Sequence, residues 1–533
     1  MSADIIASGR ASLGIEFGST RIKACLIGED HEVLAVGIHD WENDFVDGLW
    51  TYPSASIEAG ARAAYADLAS TVNDTYGVAL TKLRAVAVSA MMHGYLPLDG
   101  DGELLVPFRT WRNTNTQEAA AALTEVLGVN IPLRWSVAHL GQAVLNGEDH
   151  LQDIATFTTL AGLVHRKLTG SSVLGIGDAS GMFPCDADTR DYDEPRLARA
   201  DAWFAEHGFT TPLRDLLPPV AVAGADAGAL TEEGAAWLDP TGQLQSGAPA
   251  APAEGDAGTG MVATDAVAPR TGNVSVGTSV FAMVVLEAAL PSVHHEIDLV
   301  TTPSGDAVAM VHCNNGASEL AAWAGLLGRF ADAMGAPAAA DDVFATLLRA
   351  AMDGEADAGG VLAYNQLSGE PVLGLEAGRP MVLRTPGSRL TLANFARAQL
   401  HGVFASLAVG MRVLAADGVR IDTLQGHGGL FRTSGPAQSV LAAAVNAPVA
   451  VMATAGEGGA WGAAVLAAYR AAQVEAPVSD DAEDLAGYLT RAVFADAATT
   501  VVDPDPELVA GYTAYLTRYE AALPAERAAV GSL

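Results

Sequence analysis

Short apolar strands open each half of the chain. Residues 13–17, 22–27 and 33–38 are apolar stretches separated by polar turns, a pattern that predicts a β-meander. A second hairpin, "NVSVGTSVFAMVVL" at 273–286, repeats the order of the first one: an apolar strand, a Gly-Thr/Ser turn and another apolar strand. We infer that one structural unit has been duplicated.

Helical periodicity follows each hairpin. Residues 56–74 have apolar positions at helical spacing, and residues 83–99 predict a buried strand that runs into a loop. In the second half, a strand is predicted over 307–315, and helices are predicted over 316–332 and 394–416. The alternation of strands and helices predicts the α/β class.

The length of 533 residues is too great for one hydrophobic core and predicts two large domains. A stretch rich in Ala, Gly and Pro, residues 225–260, lies just before the second hairpin and indicates a boundary near 255–268. We therefore predict domains at 1–258 and 259–533. The acidic, Ala-rich tail is predicted to form helices that pack on the second domain.

The net charge of −34 at pH 7 argues against nucleic acid and anionic membranes as partners, because both attract basic surfaces. The chain has no apolar run of the roughly 20 residues that span a bilayer. Its first residues also lack the basic and long apolar regions of a signal peptide. We expect a cytoplasmic protein. An anionic ligand would need local positive potential from backbone N–H groups, helix N-termini or a metal ion.

Each hairpin carries a turn of small polar residues. The turns consist of Gly18, Ser19 and Thr20 in the first half and of Gly277, Thr278 and Ser279 in the second. Neither hairpin has the strand, loop and helix, with a lysine, of a Walker-type phosphate loop. A single turn of this kind is typical of an ordinary hairpin connection. Two of them, one in each half, favour phosphate binding through N–H and hydroxyl groups.

The paired hairpins resemble the actin-like ATPase superfamily, and four further segments in order resemble the FGGY carbohydrate kinases. These segments are "VSAMMHGYLPLD" (88–99), "GDASGMFPCD" (177–186), "EGDAGTG" (254–260) and "GHGGLFRTSGPAQSVLAAAVNAPV" (426–449). The resemblance covers residues 13 to about 470. It implies two duplicated ribonuclease-H-like domains with a nucleotide cleft between them. It also implies ATP and Mg²⁺ as cofactors, and phosphoryl transfer to a sugar.

The resemblance assigns roles to individual residues. Asp256 is implied as the catalytic base, although the same residue could act only as a helix cap. Glu16 is implied near the magnesium ion, where the family usually has Asp. The two polar turns are implied to face the triphosphate. Glycines that permit close approach of the backbone to the nucleotide, or that only make loops flexible, are Gly428, Gly429 and Gly458, the last within the glycine-rich run 456–459.

Candidate sugar contacts lie in the first half. The resemblance favours Met92 and His93, with Trp111 as a contact to the ring face or carbon chain. A histidine at a strand end and a methionine beside it are also typical of structural and core residues. Asp178 is a further candidate, although "GDASG" is also typical of a turn.

Charge in this region bears on the substrate. Gluconate would need a cation for its carboxylate, and Arg109 and Arg112 are the arginines available in the segments assigned to the sugar. The family's downstream arginine is replaced by Asn115. This replacement favours a neutral sugar.

We therefore expect an ATP- and Mg²⁺-dependent kinase that phosphorylates a terminal hydroxyl of a ketopentose, xylulose or L-ribulose. The alternatives are a gluconate or polyol kinase of the same family and, from another class, an actin-like ATPase that acts as a chaperone or filament protein. The expected partners are a small sugar and ATP, and a homodimer is the expected assembly.

Overall fold

The computed structural model describes residues 2–452, 458–476 and 483–532. The chain forms two compact units, each built from three segments. Unit 1 contains Met1–Val267, Leu299–Val308 and Gly456–Asp496, and unit 2 contains Ala268–Asp298, Ala309–Ala455 and Ala497–Leu533. The units differ from the predicted division at 258/259, because two segments of the second half pack into unit 1. That division stays a prediction.

The described residues form short strands throughout. The strands are β1 (Ser12–Phe17), β2 (Arg21–Ile27), β3 (Val33–Asp40), β4 (Asp44–Val46), β5 (Leu49–Thr51), β6 (Ala85–Ala90), β7 (Leu96–Leu98), β8 (Thr156–Thr158), β9 (Leu174–Gly175), β10 (Cys185–Asp186), β11 (Asp191–Tyr192), β12 (Val220–Ala221), β13 (Glu254–Gly255), β14 (Thr271–Val276), β15 (Val280–Val285), β16 (Asp298–Thr301), β17 (Ala307–Cys313), β18 (Val361–Tyr364), β19 (Met381–Arg384), β20 (Thr423–His427), β21 (Val449–Met452) and β22 (Thr499–Val502).

Helices connect and cover these strands. The α-helices are α1 (Ser2–Ala7), α2 (Ser54–Tyr76), α3 (Gln117–Leu127), α4 (Ser136–Asn146), α5 (Leu160–Thr169), α6 (Ile176–Ala179), α7 (Glu194–Glu206), α8 (Leu213–Leu216), α9 (Glu232–Leu238), α10 (Asp256–Val262), α11 (Ser318–Ala333), α12 (Ala340–Met352), α13 (Leu392–Ala416), α14 (Pro436–Val445), α15 (Gly459–Glu475), α16 (Leu485–Tyr488) and α17 (Pro506–Ser532).

The sheet of unit 1 has the strand order β13-β6-β1-β2-β3. Strand β1 pairs antiparallel with β2 and parallel with β6, and β13 also runs parallel to β6. The helix α15 packs directly on β1 at Gly14, where a Cβ atom would lie only 2.3 Å from the Ala460 carbonyl oxygen. Because β1, β6 and β13 run parallel, their carboxyl ends meet at one edge of the sheet.

The large sheet that runs through unit 2 repeats this arrangement. Strand β14 pairs antiparallel with β15 and parallel with β20, and β20 runs parallel to β21. The order β17-β15-β14-β20-β21 thus matches β3-β2-β1-β6-β13 of unit 1, with β16 and β22 added at the edges. This repeat confirms the predicted α/β fold with two duplicated units.

Most predicted elements are confirmed, and the tail is confirmed in part. The predicted meander forms as β1, β2 and β3, and the helices predicted over 56–74 and 394–416 form as α2 and α13. The tail was predicted to be helical and to pack on the second domain. Helix α17 confirms this in unit 2, where the Tyr512 hydroxyl donates to the His401 carbonyl of α13 at 3.0 Å. Helix α16 lies instead in unit 1, where the Tyr488 hydroxyl lies 2.6 Å from Nε2 of His31, and Thr499–Val502 forms an edge strand.

One described helix, α13, is long and apolar enough to cross a membrane by length and composition. Within its most apolar 18-residue window, 78% of the residues are buried inside the protein. This burial is typical of the core helix of a folded domain.

Candidate active site

Three chain segments meet at the carboxyl edge of the unit 1 sheet. Register pairs place Glu16 of β1 beside Ser89 of β6, and Ser89 beside Glu254 of β13. The residues that follow these strands carry the first polar turn, the Met-His pair and Asp256. The parallel pairing thus brings together candidates that lie about 240 positions apart in the sequence.

Asp256 is the first residue of α10 and is partly exposed. Its Oδ1 accepts a hydrogen bond from the Met92 backbone N–H at 3.2 Å, so the acid is fixed against the end of β6. Burial raises the pKa of this carboxyl above its usual range, while N–H donors from the backbone act in the opposite direction. A partly exposed carboxylate with a raised pKa is suited to accept a proton.

Glu16 lies near Asp256, and no lysine or arginine in the described part of the chain is bonded to it. Its Oε2 accepts a hydrogen bond from the Ala460 N–H at the start of α15, at 3.1 Å. Burial and, second, the negative charge of Asp256 raise the pKa of Glu16 to about 7. Two neighbouring carboxyls that repel each other are a chemically suitable donor set for Mg²⁺, which takes oxygen ligands and keeps several waters. In the described residues, no cluster of three or more His, Cys, Asp or Glu side chains adds further ligands.

The first polar turn is held by aromatic side chains. The Trp41 indole N–H donates to the Gly18 carbonyl at 2.7 Å, and the Tyr52 hydroxyl donates to the Ser19 carbonyl at 2.7 Å. The two rings stack with centroids 4.1 Å apart. Because these carbonyls are bonded to side chains, the turn is fixed with Thr20 exposed.

The second polar turn, in unit 2, is held by backbone groups. The N–H of Gly316 donates to the Thr278 carbonyl at 2.7 Å, and the N–H of Ala317 donates to the Gly277 carbonyl at 2.9 Å. Gly277 and Thr278 are exposed, and Ser279 is half-buried. The turn therefore presents exposed polar groups at the end of β14.

The three candidate glycines fall into different units. Gly428 and Gly429 follow β20 in unit 2, and Gly428 has a φ of 107°, with the Val276 carbonyl oxygen only 2.3 Å from where a Cβ atom would lie. Gly458, with a φ of 62°, precedes α15 in unit 1. The first two residues of the glycine-rich run, at 456 and 457, lie outside the described residues.

The Met-His pair is buried at the end of β6. His93 has a φ of 70°, and its Nδ1 lies 3.2 Å from the Gly181 carbonyl oxygen. Its ring stacks on Trp135, with centroids 6.3 Å apart. Trp135 is fully buried, and its indole Nε1 has no hydrogen-bond partner among the described residues. Sequence reasoning missed Trp135, because a single tryptophan before a helix is an unspecific signal.

Trp111 and the two arginines have other surroundings. Trp111 is 37% exposed in a turn, and it follows Arg109, which pairs with Tyr95 through backbone hydrogen bonds. Arg109 is buried in a two-bond ion pair with Glu148. Arg112 stacks over the Trp50 ring at 3.8 Å and donates to Asn43. Both arginines therefore already have partners within the protein.

Two buried acids lie next to the site: Asp178, which sequence reasoning indicated as a further candidate sugar contact, and Glu254, which sequence reasoning missed. Glu254 and Asp178 are fully buried, and neither is paired with a lysine or arginine in the described part of the chain. An acid within the otherwise apolar "APAE" stretch is the one signal that could have indicated an inward-facing Glu254.

Solved structures with the same fold cover nearly the whole chain. A xylulose kinase from Rhodospirillum rubrum is similar with a TM-score of 0.75 and 21% identity over 97% of this chain and 98% of that chain. A gluconate kinase from Lactobacillus acidophilus has a TM-score of 0.73 and 18% identity over 96% and 97% of the two chains. A Plasmodium falciparum glycerol kinase with ADP has a TM-score of 0.72 and 15% identity over 96% and 97%.

Comparison with sequence-family models assigns the chain to a family, which similarity of fold alone does not do. The curated proteins include no significant match to the chain. The model of the N-terminal domain of the FGGY family of carbohydrate kinases matches residues 11–256, and the model of the C-terminal domain of the same family matches residues 272–471. The chain belongs to the FGGY family of carbohydrate kinases and is an ATP-dependent sugar kinase.

Proposed function

We propose that this kinase transfers the γ-phosphoryl group of ATP to a terminal hydroxyl of an open-chain ketopentose, xylulose or L-ribulose. Asp256 is the proposed base, because it is a partly exposed acid at the start of α10, directly after β13, at the edge where the three strands end. It accepts the proton of the attacking hydroxyl while the sugar is held by neighbouring groups. Positioning supplies most of the rate enhancement in such a loose phosphoryl transfer.

We propose that the polar turns bind the nucleotide's phosphates. Gly18, Ser19 and Thr20 would face one part of the triphosphate, and Gly277, Thr278 and Ser279 another. Gly428, Gly429 and Gly458 would allow close approach of the backbone to the nucleotide. Glu16 would hold Mg²⁺, directly or through water, and the ion when bound neutralises charge on the phosphates.

The proposal of a neutral substrate rests on the existing interactions of Arg109 and Arg112. The guanidinium of Arg109 is paired with Glu148, and that of Arg112 lies over the Trp50 ring. Binding a substrate carboxylate with either arginine would break an existing interaction. Met92 would supply an apolar wall and His93 one hydrogen bond, both suited to a small hydroxylated sugar. We also propose that Trp111, which is partly exposed, contacts the carbon chain of the sugar.

A coupled ADP-release assay over pentuloses, hexuloses, polyols and aldonates tests the substrate. We expect the highest kcat/KM for a ketopentose, and His93→Ala should raise KM for it by roughly 10-fold through a lost buried hydrogen bond. A clear preference for gluconate or glycerol would overturn the ketopentose proposal and leave the kinase assignment intact.

We further propose that the protein is cytoplasmic and forms a homodimer. Gel filtration with light scattering tests the assembly.

A further inference from the structure

Glu254 is a buried acid that joins two segments of the site. It lies in β13, two residues before Asp256, and its side chain is 1% exposed. Its carboxylate accepts hydrogen bonds from the N–H of Gly177 at 3.3 Å and from the N–H of Asp178 at 3.0 Å. The glutamate thus connects the strand that leads to Asp256 with the short helix α6.

The backbone around this carboxylate is adapted to it. A Cβ atom at Gly175 would lie 2.3 Å from Oε1 of Glu254, and a Cβ atom at Gly177 would lie 2.3 Å from Oε2. A side chain at either position would displace the carboxylate or the backbone, because such distances are far below van der Waals contact. The glycines of "GIGD" therefore make room for Glu254.

Asp178 lies on the other side of the same contact. Its Oδ2 accepts a hydrogen bond from the Thr159 hydroxyl at 2.5 Å, and its Oδ1 is buried without a partner among the described residues. That Oδ1 lies 3.2 Å from where a Cβ atom on Gly255 would be, next to the peptide that enters Asp256. Asp178 and Met92 thus border Gly255, the residue between Glu254 and Asp256, whereas Asp256 is partly exposed.

Two acids that are buried together, with no lysine or arginine of the described residues paired to either, are a costly arrangement for folding alone. Glu254 is 1% exposed and Asp178 is 0% exposed. An apolar pair of the same volume would avoid this cost. The arrangement is therefore better explained by the geometry it imposes on the neighbouring residue.

We propose that Glu254 is a positioning residue for phosphoryl transfer. Its two hydrogen bonds to the start of α6 hold the backbone that runs from β13 into α10, and so fix the orientation of Asp256. Glu254 does not touch substrate. This inference rests on the proposed role of Asp256 as the base.

A double-mutant cycle tests the inference. Glu254→Gln keeps the volume but replaces one acceptor oxygen with an NH₂ group, which faces an N–H and repels it. We expect kcat to fall by about 10-fold or more, because small misplacements of a catalytic group have large effects on rate, while KM for sugar and ATP stays within about 3-fold. In the Asp256→Asn background, the same substitution should lower the residual kcat by less than about 2-fold, since the group it positions is gone.

Glu526→Gln is the matched control. Glu526 is also fully buried and accepts a backbone N–H, from Arg379, but it lies in unit 2 on α17. Its substitution should leave kcat unchanged even where it lowers the melting temperature as much as Glu254→Gln does. If Glu254→Gln does not fold, the cycle is run with Glu254→Asp, which retains the charge but shortens the reach by one methylene.

The outcomes separate the inference from the proposed function. Normal turnover of Asp256→Asn would reject Asp256 as the base. Slow turnover of Asp256→Asn with normal kcat in Glu254→Gln would reject only the positioning role. An effect of Glu254→Gln that is equally large in both backgrounds would also reject it, because that result indicates a general structural defect.

Discussion

The two polar hairpins share the order of strand, turn and strand but differ in what surrounds them. The first turn spans the gap between Phe17 and Ile22, whereas the second spans the shorter gap between Val276 and Val280. Aromatic side chains hold the carbonyls of the first turn, and backbone N–H groups hold those of the second. The two halves therefore share the strand–turn–strand arrangement but differ in the groups that hold the carbonyls of the turn.

The hairpins also differ in charge at the matching position. Glu16 lies two residues before the first turn, and Ser275 occupies the same place before the second. All four buried or half-buried acids of the candidate site, Glu16, Asp178, Glu254 and Asp256, belong to unit 1. We infer that the first half carries the acid–base and metal chemistry and that the second contributes uncharged phosphate contacts.

The largest expected effect tests the acid of the first half. Asp256→Asn removes the proposed base but keeps its size, so kcat should fall by at least about 10²-fold while sugar affinity changes by only a few-fold. Steady-state kinetics and sugar binding by calorimetry measure the two quantities separately. Near-normal turnover would show that the chemistry does not depend on this acid.

The next effect compares the matching positions of the two hairpins. Glu16→Gln should lower kcat by about 10-fold or more and raise the Mg²⁺ concentration needed for half-maximal rate, since a carboxylate ligand is lost. Ser275→Ala, at the same place in the second hairpin, should leave the Mg²⁺ requirement unchanged. Equal Mg²⁺ dependence of the two variants would contradict the division of roles.

How the second turn is fixed can be tested by crowding its backbone. A Cβ atom on Gly316 would lie 2.5 Å from the Gly277 carbonyl oxygen, so Gly316→Ala must displace the turn. We expect KM for ATP to rise by roughly 5- to 10-fold, the effect of losing one or two hydrogen bonds, with little change in KM for sugar. Gly325→Ala, on the helix α11 that follows this segment, serves as the control, because a Cβ atom there would make only an ordinary van der Waals contact, 3.9 Å from Nη1 of Arg329. An unchanged KM for ATP in Gly316→Ala would argue against nucleotide binding at this turn.

The sequence predicted the hairpins because they depend on local alternation of apolar and polar residues. Strands β1, β2 and β14 and helices α2 and α13 were all indicated in this way. The role of Glu254 was not, because its partners lie 76 and 77 residues earlier in the chain and are backbone N–H groups, which leave no pattern of side chains. The return of residues 456–496 to unit 1 was missed for the same reason, since tertiary packing decides it.

The smallest expected effect compares buried acids of the two units through the pH dependence of stability. Burial raises the pKa of Glu254 in unit 1 to about 8 and that of Glu370 in unit 2 to about 7. Each folded-state pKa lies above the unfolded value, so the folded protein binds more protons between these limits and the free energy of unfolding falls as pH rises. Buried His139 and His427, whose pKa values are lowered to about 3 and about 4, have the opposite effect, but only below the unfolded histidine pKa of about 6.5.

Melting temperatures measured from pH 6.5 to 8.5 therefore isolate the acids. The wild type should lose stability across this range, and Glu254→Gln should flatten the curve up to about pH 8, because the amide does not titrate. Glu370→Gln should flatten it only up to about pH 7, since that acid completes its titration earlier. The differences amount to a few degrees at most in a chain of this size. Parallel curves for all three proteins would mean that neither acid retains a proton in the folded state, and the cost assigned to burying Glu254 beside Asp178 would then have to be withdrawn.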